Sequence, residues 1–380
     1  MRSPRALAAA LACAAPLAAQ EPRSAAPFTL YVSSEAGDLV TRIAVDSGGW
    51  RKTKEIPVGQ LATDLDGPHH VAVSPDGRHW YVSLAHGAPF GAVWRYTTDS
   101  DSLVGRVRVG MFPTTIGISP DGAWAYVPNS DFHGDRGHLN DVSVLYLPEM
   151  RTVVEIATCD MPHGSRFSHA GNAVYIACMM SDELVEIDPS RLAIARRVPL
   201  GGGGAVSHAA HDAPAAPAPA PARPAPGAAS STLPGQDPDC LTTFVSVSPD
   251  DRLIYLACSK SHEVQVRDAR TLELVHRLPA GDGTYNVEPS PDGRWVLATN
   301  KKAQSVSVFD TGTWREVARV PTSKRVPHGI AFSPDGRYAF VSVESVGSDP
   351  GAVDAIDLRT RRRVASIEVP YQPTGIAVAP

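Results

Sequence analysis

The sequence predicts an all-β chain folded as a seven-bladed β-propeller, with four-stranded antiparallel blades closed by joining the N- and C-terminal strands. Three observations carry this. A Ser-Pro-Asp-Gly turn, or a close variant of it, recurs between short apolar runs. The spacing between copies is nearly constant. The two chain ends hold complementary fragments of one further copy. A period of this length with four strand patterns per unit suits a propeller blade.

The clearest copy is 326–343, VPHGIAFSPDGRYAFVSV, and its relatives are 67–83, GPHHVAVSPDGRHWYVS, and 112–128, FPTTIGISPDGAWAYVP. Each reads as an inner strand, a tight turn at Asp-Gly, and a returning strand. The turn prolines align as Pro75, Pro120, Pro249, Pro291, Pro334 and Pro380, and His169 takes that place in a degraded copy at 167–176. Steps are 42 to 49 residues except for the 80 residues between His169 and Pro249, which must hold an insertion. The cycle is legible from Tyr285: an inner strand to Ser290, a return over 295–299, a third strand at 305–310 and an outer one at 315–320. The last copy, 373–380, has an inner strand and nothing after it, while 28–45 supplies outer strands without an inner one. Joining them removes the open sheet edges of a linear array. One propeller over 28–380 is expected, with a Gly/Pro/Ala-rich insertion at 201–240 between blades.

The formal charge of −5 argues against a nucleic-acid partner. Arg2 and Arg5 precede an apolar run at 6–19, which reads as a signal peptide over residues 1–19. No later segment is apolar enough to span a bilayer, so a periplasmic or secreted monomer is expected, in a compartment where disulfides persist. Gly-x-Ser-x-Gly and Cys-x-x-Cys-His are both missing, and the glycines at 201–204 lack the helix that a phosphate cradle requires.

The returning strands read Tyr81-Val-Ser83, Tyr126-Val-Pro-Asn129, Tyr175-Ile-Ala177, Tyr255-Leu-Ala257, Leu297-Ala-Thr-Asn300 and Phe340-Val-Ser342. With the Ser-Pro-Asp-Gly turn, they resemble the YVTN-type bacterial β-propeller repeat family, and more distantly the haem d1 and nitrous-oxide-reductase propellers. The resemblance implies the fold over essentially the whole mature chain. It does not imply one activity. The seven-histidine set and the copper domain of a nitrous oxide reductase are missing.

The unusual polar residues gather on one face. Pro68-His69, Pro162-His163 and Pro327-His328 lead into three inner strands, where the other blades carry Thr114, Thr243, Asn286 and Thr374. A ring of imidazoles suits copper, zinc, iron or nickel. His69, His163 and His328 are therefore candidate ligands, with His70, or His208 and His211 of the insertion, closing from above. Asp64 and Asp66 are candidate acceptors behind His69. The same histidines equally suit a metal-free small-ligand pocket, or caps that hydrogen-bond to inner-strand backbone. A second cluster, Asp131, His133, Asp135 and His138, lies in one long loop and reads as a surface loop able to hold a cation, although its spacing matches no EF-hand.

With Cys13 removed in the signal peptide, four cysteines remain. Cys178 and Cys258 each fall ten residues after their turn serines, Ser168 and Ser248, while Cys159 and Cys240 precede the same two inner strands. Adjacent antiparallel strands favour the pairs Cys159–Cys178 and Cys240–Cys258, since equivalent positions in neighbouring blades would lie about 10 Å apart, too far for a bridge. Cys/His metal ligation is the alternative. No nucleophilic or acid–base constellation stands out. The sequence therefore favours an exported, non-catalytic propeller that binds a metal, a small molecule or an exported protein on the histidine face. A metal-dependent oxidoreductase or lyase with copper, zinc or iron at the channel mouth is the alternative.

Overall fold

A computed structural model describes residues 26–60, 64–87, 90–132, 140–201 and 239–379. His133, Asp135, His138, His208, His211 and the signal peptide lie outside these residues.

Seven four-stranded antiparallel sheets surround a central channel. Blades 1 to 6 follow the chain, with inner strands beginning at Pro68, Gly117, Pro162, Thr242, Thr284 and Pro327. Blade 7 takes its inner strand, Pro373–Ala379, from the C-terminus and its other three from Phe28–Ser34, Leu39–Asp46 and Gly49–Pro57. The two ends pair antiparallel, with Thr29 opposite Ala379 and Val32 opposite Ile376. Closure is as the split repeat predicts.

The blades stand for a simple reason. Middle strands such as Val174–Cys178 are buried throughout because both faces meet neighbouring blades, while outer strands such as Arg315–Pro321 alternate exposed and half-buried. Aromatics fill the gaps between blades: Trp80 stacks between Tyr31 and Tyr96 at centroid distances of 5.1 and 4.0 Å. Each turn is locked by its own side chains. Ser74 Oγ donates to Asp76 at 2.6 Å, Asp76 accepts the Arg78 N–H at 3.0 Å, and Gly77 takes φ +70°. A left-handed φ of this kind favours glycine.

Both disulfides form within blades as expected, with Cα separations of 6.0 Å for Cys159–Cys178 and 4.5 Å for Cys240–Cys258. They sit at the end of the propeller opposite the turns, on either side of the insertion.

Candidate functional site

A left-handed residue stands at the entrance to every blade's inner segment: Gly67, Phe112, Met161, Leu241, Gly283, Val326 and Gln372, with Phe112 preceding the isolated bridge of Pro113 to Asn129. Its carbonyl accepts the N–H of the residue just past the second strand, which is Glu35, Lys301 or Glu344 in three of the blades. The ladder then bulges. Pro68 pairs with Leu84 but His70 with Ser83, so His69 is the extra residue, and the same shift occurs at His163 and at His328-Gly329. A bulge re-aims a side chain. Here it turns these imidazoles inward at the channel mouth.

The result is a tight cluster. The ring of His69 lies 5.7 Å from those of both His163 and His328, centroid to centroid. All three are buried, at 7, 3 and 2% exposure. The separation of symmetry-related blades therefore does not keep these rings apart.

The carboxylate behind His69 is neither Asp64 nor Asp66. Asp66 spends its carboxylate on the Gln60 N–H at 2.6 Å, and Asp64 is exposed. Glu35 takes the role, accepting from His69 Nδ1 and from His86 Nε2, each at 2.8 Å. Burial alone would raise the Glu35 carboxyl, but the two imidazoles outweigh it and hold it well below the usual carboxylate range. An ionised carboxylate only accepts, so the His69 proton is on Nδ1. Its Nε2, the lone-pair nitrogen whenever the ring is neutral, is buried with no hydrogen-bond partner.

His163 is set differently. Gly164 lets the inner strands of blades 3 and 4 approach, since a Cβ there would lie 2.9 Å from Phe244 Cα. His163 Nδ1 consequently reaches Thr243 O at 2.9 Å, and its Nε2 accepts from the Tyr285 hydroxyl at 3.3 Å. Burial pushes the His163 imidazole down to about 3. Tyr285 is driven well above its ordinary value by burial, then by the Glu344 and Glu35 carboxylates, so it keeps its proton at neutral pH. Lys301 Nζ lies 3.6 Å from the centre of the Tyr285 ring and 2.8 Å from Glu344. His328 is held well below its usual value by burial and then by Lys301, and its Nδ1 is buried without a partner.

Tyr285, not Asn286, holds the histidine-equivalent position in blade 5, because Thr284 pairs with Asn300 as Pro68 does with Leu84. His70 does not close the site from above. It lines the channel cavity, as His328 does, and accepts the Ile116 N–H at 3.3 Å. Asp131 is described, but its cluster partners are not. Glu35, His86 and Tyr285 are additions that the sequence reading missed. Among the described residues, no three His, Cys, Asp or Glu side chains are grouped as a metal site would group them.

The family model described as the cytochrome D1 heme domain matches residues 241–327. That stretch contains Thr243, Tyr285 and Lys301 and none of the three histidines. Hydrazine synthase of Kuenenia stuttgartiensis is 20% identical with a TM-score of 0.62, covering 83% of this chain and 91% of that one. A functionally unknown protein from Desulfotomaculum acetoxidans is 11% identical with a TM-score of 0.67, over 92% and 98% of the two chains. The dihydro-heme d1 dehydrogenase NirN, solved in complex with DHE, is 17% identical with a TM-score of 0.58, over 92% and 74%. No curated protein matches. At these identities, the likeness is one of fold.

A tetrapyrrole does not fit the mouth as it stands. An axial ligand must present a ring nitrogen to open space, and both unpartnered nitrogens are buried among edge-to-face rings. A single ion fits in part, because His69 Nε2 and His328 Nδ1 are unspent imidazole donors.

Proposed function

We propose that the protein is an exported, metal-dependent enzyme of the oxidoreductase or lyase class, working at the histidine mouth of a YVTN-type propeller. The observation that carries this reading is His69. Its Nε2 is buried without a hydrogen-bond partner, and its Nδ1 is held by a buried carboxylate, the arrangement that orients a metal-ligating imidazole. Buried polar atoms without partners are costly, so two in one cluster favour a missing ligand over a structural cap. The fold likeness to hydrazine synthase and NirN supports an enzyme, and the two disulfides support export.

His69 and His328 would hold the metal, copper, zinc or iron, which would supply Lewis acidity or an electron-transfer centre. The Tyr285 hydroxyl carries a proton that it shares with His163 Nε2, placing a donor beside the histidines. His86 is partly exposed, so the chain His86–Glu35–His69 runs from the surface into the cluster and suits proton movement. Phe112 packs on both His69 and His86 and excludes water there. The non-catalytic reading, capture of a metal or small ligand, is favoured by the want of a third grouped donor among the described residues.

Elemental analysis of protein exported without a polyhistidine tag tests the proposal, alongside the His69→Gln/His328→Gln variant. Near-stoichiometric copper, zinc or iron that is lost in the variant is expected. Folded protein that stays metal-free after exposure to each ion contradicts it.

A further inference from the structure

The channel beneath the mouth carries a second feature, built on charged residues outside the histidine cluster. Seven equivalent inner-strand positions, each opposite an aromatic residue or leucine of its second strand, form one level of the channel wall. Five are small: Ala72, Gly117, Ser246, Ala331 and Ala377. The other two are Arg166 and Glu288, on blades 3 and 5, and they meet across Ser246. Arg166 Nη2 donates to Glu288 Oε2 at 2.5 Å, and Ser246 Oγ donates to the same oxygen at 3.1 Å. Both side chains line a cavity of about 600 Å³, which His70, Asn286 and, among the mouth histidines, His328 also line.

Stability gives little reason for this pair. Arg166 is 43% exposed to the channel, where an ion pair is worth little, and burial pushes the Glu288 carboxyl up despite Arg166. Nor is the pair saturated. Arg166 uses one of its donors on Glu288, and its Nε is buried with no partner. The Asn286 side chain makes no hydrogen bond among the described residues, although its backbone N–H does.

We propose that the channel binds a small zwitterion of amino-acid size, its carboxylate on Arg166 and its ammonium on Glu288. The charge pattern selects this class. A lone anion entering the cavity gains Arg166 but meets Glu288, and a lone cation meets the reverse. A zwitterion lying antiparallel to the pair satisfies both ends and offsets its own desolvation twice. A cavity of this volume is in the range of small-molecule sites and leaves room for the neutral groups His70 and Asn286 to fix orientation.

Titration calorimetry with glycine, β-alanine and 4-aminobutyrate tests this, with acetate and ethylammonium as single-charge controls at matched ionic strength. At least one zwitterion should bind saturably, and both controls at least tenfold more weakly. Arg166→Gln and Glu288→Gln should each lose at least tenfold in zwitterion affinity, and Glu288→Gln should gain affinity for acetate. The neutral Arg166→Gln/Glu288→Gln variant, whose melting temperature checks the fold, should bind none of the probes. The His69→Gln variant, altered at a mouth histidine that does not line the cavity, should bind the zwitterion as the wild type does, which separates this site from the mouth. Absence of zwitterion binding, equal binding of acetate, or indifference to both single substitutions overturns the proposal.

Discussion

At the turn end of the propeller, each Ser-Pro-Asp-Gly copy consumes its own polar groups. Ser333 donates to Asp335 at 2.6 Å and Asp335 accepts the Arg337 N–H at 3.1 Å, and the same bonds recur in four other blades. At the mouth, the same repeat unit has been varied blade by blade. Histidine, threonine and tyrosine share one position, and Glu35, Lys301 and Glu344 share another. The substituted groups answer one another across blades, and two buried nitrogens are left over. At the turn end the repeated serine and aspartate satisfy each other, whereas at the mouth the repeat is broken and two imidazole nitrogens are left without partners. In a repeat architecture, the first behaviour serves the fold and the second serves a ligand.

Acid should separate the two ends most strongly. Burial holds His70 and His163 down at about 3, and His328 well below its usual value. The unfolded chain takes up these protons near pH 6.5 and the folded chain does not. Between about pH 6.5 and 3, the unfolded state therefore binds more protons, and stability falls as pH falls, by up to about 1.4 kcal/mol per pH unit for each histidine. Glu35, depressed in the folded state, adds a loss of the same sign once pH drops below its unfolded range. Urea midpoints from pH 7.5 to 4.5 should drop steeply in the wild type and less in His163→Gln. An Asp292→Asn turn variant should keep the wild-type slope. Parallel slopes for wild type and His163→Gln would show that the mouth histidines are not buried neutral.

The disulfides come next. Each closes a loop of 18 or 19 residues, and replacing Cys240 and Cys258 with alanine should cost about 3 kcal/mol, read as a lower melting temperature. The effect should extend to the mouth, because Thr243, three residues from Cys240, accepts the His163 hydrogen bond. The smallest effect belongs to the turns. Asp292→Ala removes the acceptor for Ser290 and for the Arg294 N–H and should cost about 1 kcal/mol in urea unfolding, with metal content unchanged.

Blade number, closure and both disulfides were legible because each rests on a residue recurring in register, and a period survives degraded copies such as His169. His69, His163 and His328 were legible for the same reason. Tyr285 was misplaced by one residue because blade 5 enters its inner strand through Gly-Asp-Gly-Thr, with no proline to fix the alignment. Glu35 had a signal that was available. It follows the second strand of blade 7 as Glu344 does that of blade 6, but blade 7 is assembled from both chain ends, so its loops do not read as part of the series. The closeness of the histidine rings was not legible, because no sequence spacing states how far three bulged strands lean toward an axis.

The state of His69 decides most directly whether the mouth is a metal centre, and nitrogen NMR of protein labelled at its histidine rings reads that state. In metal-free protein, the neutral form of His69 should carry its proton on Nδ1, facing Glu35, and leave Nε2 bare, and one equivalent of zinc should shift Nε2. A proton on Nε2, or a spectrum indifferent to zinc, copper and iron alike, would contradict the reading of the mouth as a metal centre.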